Sequence, residues 1–145
     1  FNNWLASYDL EVSWGLFLNS APMGFYTPHL EEKELGGNCV KLNMIYNSSD
    51  TKMKWYDLLP GEKGEAKPNM YGSYVFRADP AKCEIVHEAE VNEHCILDAG
   101  TIHGLNNGPN NGNDRQCYSL VLKRISQNKL ASWADVVEIL SPILK

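Results

Sequence analysis

The sequence lacks the pattern that would make cysteine its organising chemistry. Its four cysteines, Cys39, Cys83, Cys95 and Cys117, form no CxxC pair. That argues against a structural zinc knuckle. At 145 residues the chain can bury a sizeable core without disulfides, so reduced, buried thiols in a cytoplasmic protein are expected. No basic cluster is longer than Lys123-Arg124, and the net charge is −5. Both argue against nucleic acid or an anionic membrane surface as the main partner. No apolar run approaches the roughly 20 residues of a helical membrane span. No internal repeat and no signal peptide is visible in the sequence. The chain opens on Phe1 rather than Met, as a fragment or trimmed chain would, so elements before it are expected to be lacking. Residues 1–145 are read as a single domain.

Helical periodicity is scarce except at the C-terminus. There Ser132 stands three residues before Asp135, in capping-box spacing, and Trp133, Val136, Val137 and Leu140 form one apolar face before Pro142. Most of the remainder reads as short strands between turn signals: 13–18, 39–46, 52–58, 73–78, 83–88, 94–98 and 116–124. Turns are marked by Pro-Gly at 60–61, Pro-Asn at 68–69 and Asp-Pro at 79–80. Short strands at this spacing predict an all-β sandwich or jelly roll with the terminal helix packed outside.

Polar residues in three places suggest chemistry. His29 and Glu31 are two apart behind Pro28, so in an extended segment both point to one side. His103 ends the run "DAGTIH" and precedes an Asn/Gly-rich loop at 104–114. Two histidines and one carboxylate on one face of an octahedron make the facial triad of non-haem Fe(II) oxygenases. The competing readings are a solvated acidic loop for Glu31, Glu32 and Glu34, and a core histidine for His103. Arg115 opens the last strand. Alternation puts it on one face with Cys117, Ser119 and Val121. A small polar face ending in a cation reads as a pocket wall able to grip a carboxylate. The alternative is a surface arginine paired with Asp114 or Glu138. His87 and His94 lie among acidic residues and read as surface or strand-edge histidines.

The pattern His29-Leu30-Glu31, His103, Arg115-x-x-x-Ser119 resembles the Fe(II)/2-oxoglutarate-dependent oxygenases. The stretches 41–58 and 102–124 are similar to small phage and marine members related to the aspartyl/asparaginyl β-hydroxylases and prolyl hydroxylases. The resemblance spans roughly residues 25–125 and departs from the family in carrying Glu31 where Asp is commoner. It implies a double-stranded β-helix and Fe(II) held by His29, Glu31 and His103. It further implies 2-oxoglutarate anchored by Arg115 and Ser119, and hydroxylation of a small-molecule or peptidyl substrate with release of succinate and CO2. Tyr26, Asn43, Trp55 and Tyr56 are candidate pocket residues, each equally able to serve as packing. "DAGTIHGLNN" also resembles the second cupin motif through Gly100, His103 and Asn107 or Asn106. A cupin-type metal protein without 2-oxoglutarate dependence is therefore an alternative, as is a non-catalytic jelly-roll binding module. The 104–114 loop is expected to join adjacent strands and to form a mobile rim over the site.

Overall fold

The computed structural model describes residues 1–30, 37–68 and 74–143. The chain is mostly β. A short helix α1 (Asn2–Ala6) leads into strands β1 (Leu10–Ser20), β2 (Phe25–Leu30), β3 (Val40–Tyr46) and β4 (Lys52–Leu58). Then come β5 (Glu65–Pro68), β6 (Tyr74–Arg77), β7 (Cys83–Glu90), β8 (Cys95–Asp98), β9 (His103–Asn106), β10 (Arg115–Arg124), β11 (Lys129–Leu130) and the C-terminal helix α2 (Trp133–Leu140). The first sheet runs β1-β10-β3-β8, with β11 on β10, and the second runs β5-β6-β2-β9-β4-β7. Every paired strand is antiparallel. Among the described residues no helix is long and apolar enough to cross a membrane.

The pairing is nested: β1 with β10, β2 with β9, β3 with β8 and β4 with β7. Successive strands cross from one sheet to the other, and β5–β6 is a hairpin added at one edge. Alternation along the strands gives each sheet two faces. On the outer face of the first sheet Leu10, Val40 and Leu122 meet Leu5, Ala131, Val136 and Leu140, which are buried together. Each such leucine contributes roughly 1.5–3 kcal/mol by leaving water. This is why both helices lie against that face. Ser132 accepts from the Asp135 backbone N–H and the Asp135 side chain reaches back, so the capping box read from the sequence is formed.

The inner faces meet through Ile45, Leu97 and Cys117 of the first sheet and Met53 and Leu105 of the second, with Trp55 and Cys95 packed against them. The predicted strands 52–58, 83–88, 94–98 and 116–124 all correspond to strands with ends shifted by no more than two residues, and 13–18 is the middle of the longer β1.

The loop departs from expectation. It joins β9 and β10, which lie in different sheets rather than side by side. It leaves β9 at the end remote from His103. Asn107, Gly108 and Asn110 are buried. Asn107 Nδ2 donates to the Ala21 carbonyl at 2.9 Å, and Asn110 Oδ1 accepts from the Ser49 backbone N–H at 2.9 Å. Gly108 stands against the Ser49 carbonyl with no room for a Cβ. Asparagine and glycine here serve tight hydrogen-bonded packing, and a mobile rim over the site is not what they form.

Candidate active site

The site begins with local turns. Asp98 Oδ1 accepts from the Gly100 backbone N–H at 3.0 Å, and the Thr101 hydroxyl donates to the Asp98 carbonyl at 3.1 Å. Gly100 presses on the Gly37 carbonyl, where a side chain would collide. This turn delivers His103 to the start of β9. Burial drives the Asp98 carboxyl above its ordinary range, and the Gly100 N–H opposes that shift.

In β9 His103 alternates with Leu105, which belongs to the inter-sheet core, so His103 faces inward too. It is 4% exposed. β2 sets His29 directly opposite His103, and their ring centroids are 4.8 Å apart. The Nδ1 of His29 lies 2.8 Å from the Thr27 carbonyl and the Nδ1 of His103 lies 2.9 Å from the Thr101 carbonyl. A carbonyl only accepts, so in both rings Nδ1 carries a proton. Histidine ligands to metals are oriented by the same kind of second bond. Glu31 lies outside the described residues. Among the described residues no group of three His, Cys, Asp or Glu donors is assembled, so two of the three expected ligands are brought together here.

Trp55 is opposite His103 on its other side, and His87 is opposite Trp55. Their rings are 5.2 Å apart. Sequence reasoning set His87 aside because acidic neighbours surround it; its pairing with Trp55 was the missing information. His94 serves the backbone, its Nδ1 accepting from the Ile45 N–H at 3.1 Å.

On the inner face of the first sheet, β10 presents Arg115, Cys117 and Ser119, all buried. Arg115 is 3% exposed, which removes the surface-arginine alternative. Asp114 instead accepts from Asn19 Nδ2 at 2.6 Å. Among the described residues the buried Arg115 Nε has no hydrogen-bond partner. Such a group costs about 1–3 kcal/mol or more unless something answers it. Two thiols feel this cation. Burial pushes Cys117 up, opposed by Arg115 and Lys41, and Cys95 is pushed up to about 11 by burial and by Cys117, with Arg115 opposing. Ser119 Oγ donates to Asn43 Oδ1 at 2.7 Å with both residues buried. Its proton is therefore given to a neighbour in this state. Tyr26 reaches across between the sheets: its hydroxyl is 2.8 Å from Ser20 Oγ, and Ser20 is the strand partner of Arg115.

Tyr56 stands apart from this group. Its ring packs against the position of Gly104, the face opposite His103, in a cluster with Leu30, Phe76 and Ile102. Burial raises its phenol, helped by the negative potential of Cys83 and Glu88. Tyr56 lines a separate cleft of about 510 Å³ with Asp57, Glu84, Thr101 and others. The bulge between Trp55 and Tyr56 accompanies this change of direction.

Comparison with family models, with curated proteins and with solved structures returns no match to this chain.

Proposed function

We propose that the chain is an Fe(II)- and 2-oxoglutarate-dependent dioxygenase built on a double-stranded β-helix. The nested pairing supports the fold reading. A long hairpin whose arms alternate between two sheets is the pairing expected of a jelly roll. One observation carries the functional reading. Two directly opposed histidines, each with Nδ1 held on a backbone carbonyl, stand on the inner face of one sheet, and a buried guanidinium whose Nε has no partner among the described residues stands on the inner face of the other. Metal ligation accounts for the first feature and a dicarboxylate cosubstrate for the second. A cupin-type metal protein without the cosubstrate, or a non-catalytic binding module, assigns no task to that guanidinium.

His29 and His103 would hold the iron through Nε2, with Glu31 as third ligand, and the Thr27 and Thr101 carbonyls keep the two rings oriented. Arg115 would take the far carboxylate of 2-oxoglutarate in a bidentate pair, with Tyr26 beside it through Ser20. Ser119 would contribute its hydroxyl by turning from Asn43. The core around Leu105, Met53 and Trp55 keeps water from the cosubstrate. Bound iron supplies the redox chemistry, in which 2-oxoglutarate, O2 and a C–H substrate give succinate, CO2 and the hydroxylated product.

Anaerobic titration with Fe(II) and 2-oxoglutarate, followed by visible absorption, tests this reading. A charge-transfer band requiring both ligands is the expected result. Metal binding without the band would favour the cupin reading, and no metal binding would overturn both.

A further inference from the structure

One hydrogen-bonded row crosses the whole second sheet: Glu65, Arg77, His29, His103, Trp55 and His87, each directly opposite the next. Opposed residues of an antiparallel pair share a face, with Cβ atoms about 5 Å apart. Arg77 is therefore on the face of His29. The next pair, Leu30 and Phe76, points the other way into a buried cluster. Unlike Arg115, Arg77 is exposed. Glu65, its strand neighbour, is engaged instead by Lys67 at 3.0 Å. Among the described residues no carboxylate pairs with the Arg77 guanidinium. The histidine pair is thus flanked on one side by a cation that no carboxylate among the described residues pairs with, and on the other by the tilted rings of Trp55 and His87, 5.2 Å apart.

We propose that the substrate to be oxidised is a carboxylic acid whose carboxylate is held by Arg77, a residue that sets specificity. This rests on the oxygenase reading. With Arg115 committed to the cosubstrate and Lys41 buried on the inner face of the first sheet, Arg77 is the exposed cation directly opposite His29 in the row. Its place beside His29 in the row would set an anionic group a few bonds from the reacting carbon. An exposed guanidinium gains little from a solvated ion pair. It gains more when a substrate covers it and both partners leave water. The charge balance selects a carboxylate over a phosphate. One guanidinium matches one negative charge, whereas a dianion would leave the second charge beside Glu65 in a chain of net charge −5.

The test uses the full chain, anaerobic, with Fe(II) and saturating 2-oxoglutarate so that Arg115 is filled. N-acetylglycine and N-acetylglycinamide are then titrated by calorimetry. The acid is expected to bind at least about tenfold tighter than the amide. Arg77→Gln is expected to erase that preference, and Arg77→Lys to keep part of it, with the iron–cosubstrate band unchanged in both. No binding of the acid, equal binding of acid and amide, or a preference that survives in Arg77→Gln overturns the proposal. A missing band overturns the oxygenase reading instead. If the Arg77-dependent preference persists without the band, the anion site stands on its own.

Discussion

At the residue scale the buried polar groups of the two inner faces do different work, and substitutions separate them. Arg115→Ala is expected to weaken 2-oxoglutarate binding about 100-fold, near 2.8 kcal/mol, because it removes one partner of a buried charge pair. Metal binding should persist, as Arg115 is not one of the proposed ligands. Equilibrium dialysis with each ligand in turn checks both halves. Ser119→Ala leaves the buried Asn43 Oδ1 without its donor, at a cost of about 1–3 kcal/mol in denaturant unfolding. Cys95, with its thiol pushed up to about 11, is almost wholly protonated at pH 8. Iodoacetamide should therefore alkylate it in the folded protein about two orders of magnitude more slowly than in the unfolded chain, since only the thiolate reacts. Timed labelling with peptide mass analysis reads the ratio.

At the element scale the ends and turns decide. The α2 cap is legible in the sequence and formed in the structure, and Ser132→Ala is expected to cost about 0.5–2 kcal/mol. The loop after β9 is the opposite case: its composition suggests softness, yet Gly108→Ala would drive a Cβ into the Ser49 carbonyl. Such overpacking is expected to cost about 1–3 kcal/mol, and thermal unfolding measures it. Asp9 ties the turn after β10 to the start of β1, accepting from Ser126 and Arg124. These bonds hold its carboxyl below the ordinary range, Ser126 first. A depressed folded value means stability that is present above the unfolded pKa near 3.9 and lost as pH falls through the folded one. The stability gap between wild type and Asp9→Asn should therefore narrow on acidification below about pH 4. A gap independent of pH would contradict the role given to the Asp9 carboxylate.

At the scale of the whole molecule the candidate site belongs to neither sheet alone. The histidines stand on β2 and β9, Arg115 on β10, and the core between them is built from both sheets. Ligands that bridge the sheets bind only the folded form. At 100 times its Kd such a ligand adds about 2.7 kcal/mol. Fe(II) with 2-oxoglutarate should accordingly raise the unfolding temperature more than Fe(II) alone, and in Arg115→Ala that difference should vanish.

Much of this was legible in local sequence. The β-rich class, the helix at 133–140 and several strand positions followed from alternation, capping and turn residues, which are short-range effects. His103 and Arg115 stood out because a polar residue in an apolar strand is costly unless it has a task. Other features depended on distant partners. Phe25–Leu30 contains a proline and has no clean alternation, and it became a strand only by pairing with β9 and β6. Arg77 and His87 carry no signal in their own segments, and register across five strands set them in line with His29 and His103. Tyr56 was turned away from that line by a bulge that periodicity could not show. The sequence by itself determined which residues are costly to bury and where the chain turns, since those depend on side-chain chemistry and neighbours in the chain. Only the tertiary structure decided which of them face one another, because register between strands far apart in sequence is fixed by packing of the two sheets as a whole.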